Sequence, residues 1–187
     1  MLPHWNGVIV DAALQLDDLR KKYIPLLQES FSAACKTLLP ENQIKLEYRQ
    51  GWKMGADYPS ALNDALDNDK RQGLTSIGPH RCDLHLSTDG RMVAEVFSRG
   101  QVKLMVIALY LAQIQLLRQL QNTPCVILID ELAAELDKHH RELVIDTLHR
   151  QGHQVFITST DRGLVDEEHN EAYKVFHVEH GEIKEMV

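Results

Sequence analysis

Apolar and polar positions divide the chain into a largely helical first third and a mixed remainder of strands and helices. From Val10 to Leu39, Leu16, Leu19, Tyr23, Leu26, Leu27, Phe31, Ala34 and Leu38 recur at helical spacing. Pro25 predicts a kink or break in that helix, Pro40 follows its end, and Met1 to Val8 reads as irregular. Ile44, Leu46 and Tyr48 alternate with Lys45, Glu47 and Arg49, the period of a half-buried strand. Pro59 and Gly73 bracket a second helix running through Asp69. Gly78-Pro79-His80-Arg81 is a loop by its Gly-Pro pair. Asp83 to Ser87 and Met92 to Phe97 read as strands, joined through the Asp89-Gly90 pair that favours a tight hairpin.

A long apolar-periodic helix is expected from Arg99 to about Gln121, with Leu104, Ile107, Ala108, Leu111, Ile114 and Leu117 inward. Cys125 to Ile129 are five apolar residues after Pro124, the pattern of a strand buried on both faces, as in parallel sheets. A helix from Lys138 to Arg150 follows, with Leu143, Val144, Thr147 and Leu148 inward and Gly152 at its end. Val155 to Ser159 reads as the next parallel strand. Tyr173 to Val178 and Ile183 to Met186 read as a terminal hairpin.

Composition narrows the function classes. A chain of 187 residues holds one sizeable core or two small ones, and 44% hydrophobic with 25% charged residues is the balance of a globular protein. The net charge of −7 argues against a uniformly basic nucleic-acid binder and leaves room only for local patches. Arg20-Lys21-Lys22 and Lys53 are candidates for such contacts, although a solvated helix face explains each of them as well. Cys35, Cys82 and Cys125 are odd in number and widely spaced, which suits a reducing, cytoplasmic setting. No run approaches the length of a membrane span on this reading. His80, Cys82 and His85 lack a nearby fourth ligand, and strand alternation accounts for their spacing.

Two stretches carry chemistry. The apolar run Val126-Ile127-Leu128-Ile129 ends in Asp130-Glu131, and the carboxyl end of a parallel strand is where open α/β sheets bind ligands. Asp130 suits a Mg²⁺ ion and Glu131 an attacking water, the parts of a phosphoryl-transfer site. A buried strand followed by an acidic loop would look the same. Ser98-Arg99-Gly100-Gln101 opens the long helix: Ser98 is a good N-cap, and Gly100 permits close approach of a phosphate to the helix N-terminus. An ordinary capped helix would also look like this. The order of the two motifs, followed by Ala134-Glu135-Leu136-Asp137, is the more specific signal.

That order resembles the carboxyl half of an ABC-type ATPase head. Ser98-Arg99-Gly100-Gln101 resembles the signature motif, Val126 to Glu131 the Walker B strand, and Ala134 to Asp137 the D-loop. Within the superfamily, Gly78-Pro79-His80-Arg81-Cys82-Asp83-Leu84, Phe97 to Leu104 and Gln154-Val155-Phe156-Ile157-Thr158 are similar to the RecF family of bacterial recombination-repair proteins. The resemblance implies an α/β fold, mainly a parallel sheet with flanking helices, over residues 74–187. It implies part of a helical arm over residues 1–73. It also implies a weak DNA-stimulated ATPase in the full-length family, acting in replication, repair and the SOS response to DNA damage. Two heads would close on ATP and Mg²⁺ to form a clamp on single-stranded or gapped DNA. RecR- and RecO-type mediators would be the partners. Glu131 would be catalytic and Asp130 the metal carboxylate. Ser98, Arg99, Gly100, Gln101, Asp137 and Thr160 would serve nucleotide, with Thr160 standing where many ABC heads carry a histidine.

The pattern Gly-x-x-x-x-Gly-Lys-Ser/Thr, which supplies a phosphate cradle and its lysine, is absent from the sequence. The expectation is therefore a C-terminal fragment, inactive by itself. Two alternatives stay open: another ABC-type head of chromosome-maintenance or transporter type, and a non-catalytic interaction module with this fold.

Overall fold

The computed structural model describes residues 2–122, 124–132, 136–160 and 174–186. Helix α1 (Leu2–Leu38) is the longest element. It begins earlier than the pattern suggested, because Pro3 sits in the first turn, where a missing N–H costs nothing. It also continues through Pro25, which is exposed, so water can satisfy the carbonyl that the ring leaves free.

Strand β1 (Lys45–Arg49) pairs antiparallel with β2 (Asp83–Thr88), and β2 with the short β3 (Arg91–Met92). Between β1 and β2 lies α2 (Tyr58–Gln72), capped by the Asp57 side chain and closed by Gly73 in the left-handed conformation. The expected strand from Met92 to Phe97 stops after Met92. The chain instead makes one helical turn, α3 (Val93–Val96), which buries Val93 and delivers the chain to Ser98. Helix α4 (Arg99–Gln121) then leads to β4 (Val126–Ile129), α5 (Lys138–Gln151) and β5 (Gln154–Ile157). Strands β4 and β5 pair in parallel, Val126 opposite Gln154 through Ile129 opposite Ile157. This βαβ unit is the parallel part of the α/β fold. A hairpin of β6 (Val175–Glu179) and β7 (Glu182–Met186) completes the described chain.

The main core is the seam between α1 and α4. Leu27, Phe31, Cys35 and Leu38 of α1 meet a cluster that includes Leu104, Ala108, Leu111 and Ala112 of α4, with Val144 and Leu148 of α5. Side chains of Leu or Phe size contribute about 1.5–3 kcal/mol each when fully buried, so this seam dominates the stability. The β6–β7 hairpin buries none of its described side chains and contributes little. The α4 stripe is turned slightly from the expected one: Met105, Ala112 and Leu116 are buried, whereas Leu117 is exposed. The core crosses residue 73, since the second half of α1 and β1 both enter it. The first half of α1 and α2 share a smaller cluster of Ala13, Tyr58 and Leu62, flanked by Trp52 and Ile77.

Two further expectations need correction. Strand β4 is not buried on both faces: Ile127 and Ile129 pack inward, but Val126 and Leu128 are 62% and 77% exposed. No described element covers their side of the β4–β5 pair. Moreover, among the described residues one helix, the 23-residue α4, with a mean hydropathy of 1.4 over an 18-residue window, is long and apolar enough to cross a membrane by length and composition. One flank of it, Leu104, Ala108, Leu111 and Ala112, packs in the core with α1, whereas Val106, Tyr110, Leu117 and Leu120 are exposed.

The loop before β2 is held tightly. Gly51 (φ +89°) lies so close to residues 78–82 that a Cβ would fall 2.1 Å from the Gly78 carbonyl oxygen. Arg20 Nη1 donates to the Pro79 carbonyl at 2.8 Å, and Tyr48 donates to the buried Asp17 at 3.0 Å.

Candidate nucleotide site

The Ser98 turn is built by reciprocal capping. Ser98 Oγ accepts from the Gln101 N–H at 3.3 Å, and Gln101 Oε1 accepts from the Ser98 N–H at 2.9 Å. Such a box satisfies two backbone donors and leaves the other first-turn N–H groups facing outward. Ser98, Arg99 and Gly100 are exposed. A Cβ on Gly100 would meet nothing nearer than Ser98 Oγ at 4.0 Å, so the fold itself does not require glycine there.

The carboxylate pair sits at the carboxyl end of β4. The parallel ladder extends one step past β5, with Thr158 N–H donating to the Ile129 carbonyl at 3.0 Å. That places the Thr158 hydroxyl between the two acids. It donates to Asp130 Oδ1 at 2.5 Å and accepts the Glu131 N–H at 3.0 Å. Glu131 has φ +50°, a left-handed conformation uncommon for a residue with a side chain. Thr160 donates to Glu131 Oε2 over a longer 3.4 Å. Asp130, Glu131 and Thr160 are thus brought together.

Asp137 caps α5. Its carboxylate accepts the His140 backbone N–H at 3.1 Å and contacts His140 Nδ1 at 2.6 Å. These two interactions, the backbone bond first, hold its pKa below the ordinary carboxylate value. Of the D-loop match, Ala134 and Glu135 lie outside the described residues, as does Asp161. The candidate cations of the first helix are engaged: Lys21 pairs with Asp17 and Lys22 with Asp18, each at 2.6 Å. Arg20 holds the Pro79 carbonyl, and Lys53 is exposed.

Thr158 is the site residue that pattern reading overlooked. Its signal was present, because pairing β4 with β5 puts residue 158 beside residue 130. No group of three His, Cys, Asp or Glu suited to a metal occurs among the described residues. A single carboxylate at a strand end nevertheless fits Mg²⁺, which keeps several waters and takes its other ligands from substrate phosphates.

The described elements form an α/β arrangement with an acid pair at the carboxyl end of a parallel strand. The chain belongs to the RecF/RecN/SMC N-terminal domain family, whose model matches residues 18–184. Within that family it is RecF-like. It is 39% identical over 182 residues to the DNA replication and repair protein RecF of Aliivibrio salmonicida, covering 97% of this chain and 51% of that protein. The RecF of Vibrio cholerae is 38% identical over 184 residues, with 98% and 51% coverage. This chain therefore spans about half the length of the curated relatives it matches. Among solved structures, the recombination mediator protein RecF with ATPrS, of the RecFOR pathway, superposes with a TM-score of 0.76 at 21% identity. That match covers 95% of this chain and 48% of that one. An Smc head bound to the C-winged helix domain of ScpA gives 0.54 at 15% identity, covering 90% and 44%. These two likenesses carry the fold alone.

Proposed function

We propose that this chain forms the signature- and Walker B-bearing part of a RecF-type DNA-repair ATPase that closes as an ATP-dependent homodimer on gapped or single-stranded DNA. The observation that carries this reading is the Asp130–Glu131 pair, held at the end of a parallel strand in a chain of this family. Asp130 is the carboxylate for Mg²⁺, and Glu131 orients and deprotonates the attacking water. Thr160 reaches the same nucleotide as a neutral hydrogen-bonding group. Ser98, Arg99, Gly100 and Gln101 form the face that meets the nucleotide of the partner subunit through outward N–H groups. Asp137 couples the two sites. Bound Mg²⁺ supplies charge neutralisation on the phosphates. Residues 74–187 act as head and residues 1–73 as arm, with the exposed Lys53 as a contact to DNA phosphates. RecR- and RecO-type mediators are the protein partners, in the cytoplasm.

The absence of a P-loop pattern favours one rival, a non-catalytic interaction module of the same fold. Glu131→Gln separates the two readings when the chain is complemented with a polypeptide bearing a P-loop. Loss of the general base slows turnover by roughly a hundredfold or more, so the Mg²⁺–ATP dimer of the variant outlives the wild-type dimer. Equal dimer lifetimes by light scattering would favour the module.

A further inference from the structure

We infer that Thr158 is a positioning residue for the Asp130–Glu131 pair, an assignment that rests on the proposed role of those acids. A threonine hydroxyl has one proton and two lone pairs. Here the proton goes to Asp130 Oδ1 at 2.5 Å, and a lone pair takes the Glu131 N–H at 3.0 Å. One small group therefore fixes a side chain and the next residue's backbone together. Its own N–H is tied to the Ile129 carbonyl at 3.0 Å, so the hydroxyl is referred to the β4–β5 ladder and not to a free loop.

Two consequences follow from the chemistry. Asp130 Oδ1 is occupied and its carboxylate plane is set, which turns the other oxygen, Oδ2, into the one available to a divalent cation. Partners of this kind orient a metal-binding carboxylate and tune its affinity. Glu131 is held at φ +50° by the bond on its N–H, and Leu132, only 2% exposed, anchors the chain directly after it. Without the hydroxyl, the backbone at Glu131 has nothing on its N–H to retain a left-handed conformation that carboxylate residues seldom adopt. The Glu131 carboxylate would then lose its fixed relation to Asp130.

The test compares Thr158→Val, which keeps shape and loses the hydroxyl, with Thr158→Ser, which keeps the hydroxyl. Both are made in the full 187-residue chain. Two signals are read by NMR: the backbone coupling and carbon shifts that report φ at Glu131, and the Mn²⁺ concentration that broadens the Asp130 and Glu131 amides. Thr158→Val is expected to move Glu131 out of the left-handed region and to require about tenfold more Mn²⁺. Thr158→Ser restores both, with unchanged unfolding midpoints throughout. If Thr158→Val leaves both signals as in wild type, or Thr158→Ser fails to restore them in a folded chain, the assignment is wrong. If Mn²⁺ never broadens these amides while the Glu131 backbone still responds to Thr158→Val, the positioning role stands and the metal role of Asp130 falls.

Discussion

Gly100 has room for a side chain that it does not carry. The nearest atom to an added Cβ is Ser98 Oγ at 4.0 Å, and the residue lies in the first turn of α4 with ordinary helical φ. Alanine is the better helix former and restricts the unfolded chain, so Gly100→Ala should raise stability by about 0.5 kcal/mol. The cost of the substitution should appear elsewhere, in a surface that must lie close to this turn. We expect the variant to unfold at an equal or higher urea concentration while ATP-driven association of the complemented head is lost. Lower stability would place the need for glycine inside the fold and remove this support for a trans nucleotide contact. Ser98 contrasts with its neighbour, because the capping box already gives it a structural role that any helix could use.

At the scale of elements, the β4–β5 pair is fastened at both ends. Thr158 closes the carboxyl end, and at the other end the Cys125 N–H donates to His153 Nδ1 at 3.2 Å. With Nδ1 accepting, the single proton of the neutral ring sits on Nε2, and a second proton would displace the Cys125 bond. Burial, with a smaller contribution from Arg118, lowers the His153 pKa below its ordinary 6.5. The unfolded chain then binds the proton more readily, so this contribution to stability is present above about pH 6.5 and is lost as pH falls through and below it. NMR titration should place the His153 midpoint below that of a free imidazole. In His153→Gln the fall in unfolding midpoint between about pH 7.5 and 5.5 should be shallower than in wild type. A His153 midpoint at or above 6.5 would contradict the assignment. The same strands show what was legible in the sequence. Periodicity placed α2, α4, α5 and both strands of the pair, because caps such as Asp57, Ser98 and Asp137 and the stops Gly73 and Gly152 mark their ends locally. It misjudged β4 burial and the end of β3, since apolarity at Val126, Leu128 or Val96 does not name a neighbour. The role of Thr158 is legible only when β4 and β5 are first paired in parallel, which brings it beside Asp130.

For the molecule as a whole, the apolar surface is uneven. Val106, Tyr110, Leu117 and Leu120 lie exposed along the outer face of α4, and Val126, Leu128 and Phe156 along the β4–β5 pair. Such surfaces commonly mark interaction sites. They belong to a chain that spans about half the length of its RecF relatives and carries no P-loop pattern. We propose that Asp130, Glu131 and Thr160 are one part of a nucleotide site whose phosphate cradle is supplied by another polypeptide segment. Mg²⁺–ATP binding measured by calorimetry, first with the chain alone and then with a separately made P-loop half, tests it most directly. No measurable binding is expected from the chain alone, and saturable binding in the mixture, abolished by Asp130→Ala. Tight binding by the chain alone, or none in a mixture shown to associate, would contradict it.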